Sequence, residues 1–248
     1  MAHRAIPLLA LLVAPPMARA TPNILDGTVG DEGAAPEIGT SELRAALADP
    51  RAVVLDARAP EEFAVSHIPG ALNVMGKPGT TAALYVSDVN HVLKLIPDRT
   101  RLIILYCNGP YCGRSKRLAA ELVQVGYTQV RRYQLGIPTW RALGGVTQVE
   151  RDALVSLLAR DGTAVLVDAS PPGSAHSALP RARPIPLADT TKAKDDGRLP
   201  MTDHNTRIFV VGRDGAEARA VAEALTRDAF HNVAFYGGTA VEIGELLR

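Results

Sequence analysis

Several things that would settle a function quickly are scarce in this chain. It has two cysteines in 248 residues, too few for a disulfide scaffold and too few for a four-thiolate zinc site. Cys107 and Cys112 must therefore act as a local pair. Aromatic residues make up 4% of the chain, and neither sign of charge is in excess: 27 Lys+Arg face 26 Asp+Glu, a formal net charge of +1. A chain that neutralises phosphates shows a cationic surplus, so no nucleic-acid partner is expected. His176, His204 and His231 fall in expected loops without ligand-like spacing, so no metal site is expected. Long apolar runs are missing too, since Ala5 to Ala14 is about half of the roughly 20 residues that a membrane span requires. What remains is 47% hydrophobic and 21% charged, the composition of a globular protein able to bury real cores.

The opening MAHRAIPLLALLVAPPMARA has a basic start at Arg4, the short apolar stretch, a Pro15-Pro16 break and Ala18-Arg19-Ala20 as an A-x-A cleavage site. This predicts a signal peptide over residues 1–20 and a soluble, exported protein, periplasmic and free of the membrane after cleavage. Residues 21–38 are rich in Gly, Pro and Asp without a period and are expected to form a flexible leader. Beyond them the sequence repeats itself. A helix carrying Leu43, Ala46 and Leu47, then the strand Ala52-Val53-Val54-Leu55 ending at Asp56, is echoed by a helix carrying Leu154, Val155, Leu157 and Leu158, then Ala164-Val165-Leu166-Val167 ending at Asp168. VSHIPGALNV is echoed by HSALPRARPIPL. Each half then runs an apolar strand (102–106 or 208–211) through a short loop into an Ala-rich helix and a further strand. Alternating strands and helices predict α/β architecture, with a parallel sheet covered by helices on both faces in each of two domains. The division is expected near Gly145 to Glu150, giving domains 39–147 and 148–248.

In such sheets ligands sit beyond the carboxyl ends of the strands, where loops feed helix N-termini. Cys107 stands there. The segment YCNGPYCGRSKRLAAEL places a thiol where a strand stops, passes through a Gly/Pro loop and opens a helix near Arg114-Ser115. Loop amides can converge on an anion, and the helix dipole lowers a thiol pKa. Arg114, Lys116 and Arg117 in the first turn oppose that dipole by a few tenths of a kcal/mol each, which a sequence tolerates when there is an anion to hold.

These residues carry a resemblance. VVLDARAPEEFAVSHIPGALNV, LIILYCNGPYCGRSKRLAAELVQVGY and YQLGIPTW resemble the rhodanese (thiosulfate sulfurtransferase) family over nearly all of residues 40–145. The resemblance implies two rhodanese-like domains and a persulfide carrier at Cys107. It would take sulfane sulfur from a small anionic donor such as thiosulfate and pass it to a cyanide or thiol acceptor, a protein thiol included. Asn108, Gly109, Pro110, Tyr111, Cys112, Gly113, Arg114 and Ser115 become the substrate-binding loop, with Asp56 and Arg58 as a supporting pair. The familiar rhodanese loop has four residues between Cys and Arg. Here six separate Cys107 from Arg114, and a second thiol stands among them, so the expected pocket differs.

In the second half Gly212 replaces the cysteine, Glu217 stands where the basic residue belongs and Ala218 replaces the serine, so a non-catalytic domain is expected. His67 is expected to make a structural hydrogen bond and Trp140 to be core. Cys112 leaves two readings open, a residue that shapes the pocket or a resolving thiol that forms a disulfide with Cys107. The second reading would make the protein a disulfide-regulated binding or thiol-redox module.

Overall fold

The computed structural model describes residues 23–75, 88–171, 173–174 and 179–248. Its strands form two separate sheets, all of whose pairings are parallel. In chain order the elements are α1 (Thr40–Leu47), β1 (Ala52–Asp56), α2 (Pro60–Val65), β2 (Leu72–Asn73), α3 (Val89–Leu95), β3 (Leu102–Tyr106), α4 (Gly113–Gln124), β4 (Val130–Tyr133), α5 (Gly136–Ala142), β5 (Thr147–Val149), α6 (Arg151–Arg160), β6 (Val165–Asp168), β7 (Arg183–Pro184), α7 (Lys192–Asp195), β8 (Ile208–Val211), α8 (Gly215–Arg227), β9 (Val233–Tyr236) and α9 (Ala240–Leu246). The first sheet runs β2-β1-β3-β4 and the second β5-β9-β8-β6-β7.

Successive residues of a strand face opposite ways, and here both faces are covered. In the first sheet Leu55, Ile103, Leu105 and Val130 pack with Val92, Leu118 and Leu122 of α3 and α4. Their neighbours Val54, Ile104, Tyr106 and Tyr133 pack on the other side with Leu43, Ile137 and Trp140 of α1 and α5. The second sheet repeats the arrangement. Val165, Val167, Ile208 and Val210 meet α8 through Val221 and Leu225, while Leu166, Phe209 and Ala234 meet α6 and α9 through Leu154 and Ile243. The expected α/β class, with parallel sheets flanked by helices, is what the chain adopts.

Thr40 is the first residue of α1, behind Gly39 as the N-cap, and its hydroxyl bonds the Tyr133 hydroxyl at 2.9 Å. The expected division between 147 and 148 would cut β5, all three residues of which pair with β9 in the second sheet. The two halves are tied where His67 and Gln148 exchange backbone hydrogen bonds of 2.9 and 2.8 Å, and where the Glu150 amide donates to the Ala64 carbonyl.

The leader departs furthest from expectation. Residues 31–38 are held rather than loose. The Arg132 amide donates to the Pro36 carbonyl and the Ile38 amide to the Arg132 carbonyl, both at 2.9 Å, so the segment lengthens the sheet beside β4. Arg132 is 1% exposed. Its guanidinium donates to the carbonyl oxygens of Ala35 and Asp31 and to the Asp31 carboxylate. A segment without hydrophobic periodicity is ordered here by backbone pairing and one buried cation. The expected signal peptide lies outside the described residues.

Candidate active site

β3 delivers the site. Its last residue, Tyr106, is buried, and its hydroxyl accepts a 3.1 Å bond from the Ile68 amide. Burial pushes the phenol pKa well above its ordinary value, so the hydroxyl stays neutral and available. Beside it Asp56, at the end of β1, is fully buried and paired with Arg58 at 2.6 Å. Burial alone would lower the Arg58 pKa, but the Asp56 carboxylate outweighs it and holds the guanidinium above its usual range. Arg58 also donates to the Ser66 carbonyl at 2.6 Å. The pair therefore ties the end of β1 to the end of α2.

Cys107 follows Tyr106 and is 1% exposed. It is disulfide-bonded to Cys112, with the two Cα atoms 6.1 Å apart. The loop between them is shaped by Gly109 at φ +122° and by a 3.0 Å turn bond from the Cys112 amide to the Gly109 carbonyl. One amide expected in the anion cradle is thus already engaged. The Asn108 side chain is engaged outside the loop, donating to Glu62 at 2.5 Å, while Tyr111 is fully exposed. Cys112 is the N-cap of α4, so the helix opens at Gly113, one residue before the expected start.

Gly113, Arg114 and Ser115 form the first turn of α4. Arg114 reaches the Met75 sulfur at 3.5 Å through Nη1, and its Nη2 is buried with no hydrogen-bond partner among the described residues. A buried guanidinium nitrogen without a partner is costly unless a ligand completes it. Ser115 is buried, its hydroxyl 3.5 Å from Gln134 Oε1.

Gln134 is the residue that sequence reasoning missed. It is 3% exposed. Its amide nitrogen donates to the carbonyl oxygens of Pro110 at 2.9 Å and Cys112 at 3.3 Å, and its Oε1 accepts from Arg132 at 3.1 Å. A chain of contacts therefore runs from Asp31 in the leader through Arg132 and Gln134 to the cysteine loop. Asp31 also binds Lys116 of α4 at 2.6 Å, and Lys116 first and Arg132 second hold its carboxyl pKa below the ordinary value. The signal was present in YQLGIPTW, directly after the RR of β4, but a polar residue beside two arginines reads as a solvated edge.

Other residues fall into place around this frame. His67 stacks on Phe63 and bonds the Phe63 carbonyl at 2.9 Å. Trp140 is core, donating to the Val146 carbonyl at 2.8 Å. His204 stacks on Phe230, and His176 lies outside the described residues. Among the described residues no cluster of His, Cys, Asp and Glu could hold a metal, and no helix is long and apolar enough to cross a membrane.

The corresponding loop of the second half is closed by its own carboxylate. Glu217 accepts from the Arg213 amide at 2.8 Å and from the Arg213 guanidinium at 3.0 and 2.8 Å. There is no thiol in this loop, and an acid already occupies its amide.

Comparison with known proteins bears on the first half. Residues 39–143 match the family described as rhodanese-like domain. A thiosulfate:glutathione sulfurtransferase of Saccharomyces cerevisiae is 29% identical over 102 residues, which is 39% of this chain and 70% of the yeast protein. Among solved structures, the BH2092 protein of Bacillus halodurans shares 26% identity over 46% of this chain and 77% of its own, at a TM-score of 0.38. A thiosulfate sulfurtransferase of Pseudomonas aeruginosa shares 23% identity over 82% of this chain and 43% of its own, at a TM-score of 0.36.

Proposed function

We propose, starting from the rhodanese-like domain at residues 39–143, that the protein is a sulfurtransferase using Cys107 as its sulfur carrier. The observation that carries this reading is the unpartnered, buried Nη2 of Arg114 in the turn that follows the Cys107–Cys112 loop. It supplies a seat for a small anion in the helix turn that the loop from Cys107 leads into. In the reduced protein the Cys107 thiolate attacks the outer sulfur of a donor such as thiosulfate. The donor S–S bond breaks, sulfite leaves with the electron pair, and Cys107 holds a persulfide. The helix N-terminus and Arg114 stabilise the negative charge on the departing anion. A cyanide or thiol acceptor, glutathione or a protein thiol among the latter, then removes the sulfane sulfur, and neither metal nor organic cofactor takes part.

The first domain performs this chemistry in our reading, and the second, with β5 counted in it, is a non-catalytic partner whose loop is sealed by Glu217. Residues 1–20 direct export to the periplasm and are removed. The oxidised loop favours a second reading, a disulfide-regulated binding or redox module, because a Cys107 that is bonded and 1% exposed offers no nucleophile.

The test is intact mass spectrometry of reduced protein after incubation with thiosulfate, with peptide mapping. The reading predicts one added sulfur on the Cys107 peptide, none in Cys107→Ser, and loss of sulfur transfer in that variant. Reduced protein that takes up no sulfur would leave the redox reading in its place.

A further inference from the structure

We propose that Cys112 is a resolving thiol that expels the carried sulfur as sulfide, giving the protein a reductive sulfide-releasing activity in addition to transfer. This rests on the Cys107 persulfide proposed above.

The geometry supports it in three ways. First, the Cys112 sulfur stands at bonding position on the Cys107 sulfur itself, across a Cα separation of 6.1 Å. It therefore addresses the inner sulfur of a Cys107 persulfide as well as the outer one. Attack on the outer sulfur would only move it from one cysteine to the other, whereas attack on the inner sulfur releases it. Second, the Cys112 backbone is fixed from both sides: its amide donates to Gly109, and its carbonyl accepts from buried Gln134. A thiol held in place attacks with a high effective concentration. Third, Cys112 occupies the N-cap position of α4, a helix of 12 residues, where the dipole favours the thiolate that attacks.

The step balances as follows. With the Cys107 persulfide in its protonated form, Cys107–S–SH, the Cys112 thiolate attacks the sulfur of Cys107. The Cys107–Cys112 bond forms, the bond to the sulfane sulfur breaks, and that sulfur leaves as hydrosulfide with its proton and the electron pair. The sulfane sulfur is reduced, and the two cysteine sulfurs are oxidised to the disulfide. Hydrosulfide is a better leaving group than an alkyl thiolate, so this direction is favoured.

An external dithiol must then reopen the loop. Cys112 is only partly buried, while Cys107 is 1% exposed, so the incoming thiolate meets Cys112 first. Cys107 then departs as the thiolate, ready for the next donor. On this account the oxidised loop is a turnover intermediate.

The experiment uses the full chain, reduced, desalted and kept anaerobic, with an excess of thiosulfate, measuring sulfide, sulfite and intact mass. The expected result is about one sulfide and one disulfide per chain, with release stopping after one turnover and resuming on addition of dithiothreitol. Cys112→Ser and Cys112→Ala should retain the added sulfur on Cys107 and release sulfide at least about tenfold more slowly, because an intermolecular thiol lacks the effective concentration of a neighbouring one. Wild type that keeps its persulfide as long as the variants do would overturn the inference, as would variants that release sulfide at the wild-type rate. If thiosulfate loads neither wild type nor variants, the donor reading fails separately. The same comparison on protein loaded with polysulfide then decides the role of Cys112.

Discussion

Gly136 lies directly beneath the cysteine loop, so close that a β-carbon there would stand 2.5 Å from the Cys107 carbonyl oxygen and nearer still to the Gly109 amide nitrogen. Its φ of +67° is also one that side chains rarely adopt. Gly136→Ala therefore has to displace backbone as well as bear the strained conformation, at a cost of about 2–4 kcal/mol. Sulfur loading of Cys107 should fall further than global stability does. Gly109→Ala is the control, because its added carbon would meet only the Leu135 carbonyl, at 3.6 Å, leaving strain near φ +122° as the main penalty. Urea unfolding and persulfide mass on both variants check this. Equal damage to loading would show that contact under the loop is not what matters.

Arg132 is the buried cation on which the leader and the loop converge. Arg132→Met removes the donor that Asp31, Ala35 and Gln134 share, and leaves several acceptors without it, so destabilisation of about 3 kcal/mol or more is expected. Asp31→Asn keeps the shape and removes the charge at a partly exposed site, so it should cost far less stability than Arg132→Met. It should nevertheless change the rate at which dithiothreitol reduces the Cys107–Cys112 disulfide, since the contacts run through Gln134 to the Cys112 carbonyl. A reduction rate identical to wild type would mean that the chain of contacts transmits nothing.

His67 gives a pH dependence with a definite sign. Burial, the largest influence, lowers its pKa below 6.5 despite the Phe63 carbonyl and Glu150 nearby. The unfolded chain then binds a proton that the folded chain refuses. This costs nothing well above pH 6.5 and destabilises progressively as pH falls below that value, by up to about 1.4 kcal/mol for each pH unit the pKa is lowered. His67→Gln should flatten this part of the stability profile between about pH 7 and pH 5, measured by urea unfolding at closely spaced pH values. An unchanged slope in the variant would assign the effect to other groups.

Much of this architecture was legible in the sequence, for a physical reason. β1, β3, β6 and β8 are buried on both faces, so they read as continuous apolar runs, and α4 and α8 carry strong apolar stripes beside them. The ends of those strands locate Cys107 and the Asp56–Arg58 pair. What escaped reading is held by backbone and polar contacts. β5 is three residues long, too short for any period. The leader pairs through the Pro36 carbonyl and the Ile38 amide, which no side-chain pattern encodes. Arg132 reads as solvent-facing until the segment that buries it is in place, and Gln134 is hidden for the same reason.

That buried arginine separates the unit of homology from the unit of folding. The match to known sequences begins at Gly39, yet Asp31, Ala35 and Glu37, the groups that receive the Arg132 cation, all precede it. A fragment trimmed to residues 39–143 would expose the flank of β4 and leave a guanidinium half-solvated beside an unprotected strand edge, an invitation to aggregation. The smallest autonomous piece of this half should start no later than Asp31, so that the eight residues before the recognisable domain travel with it as its missing edge.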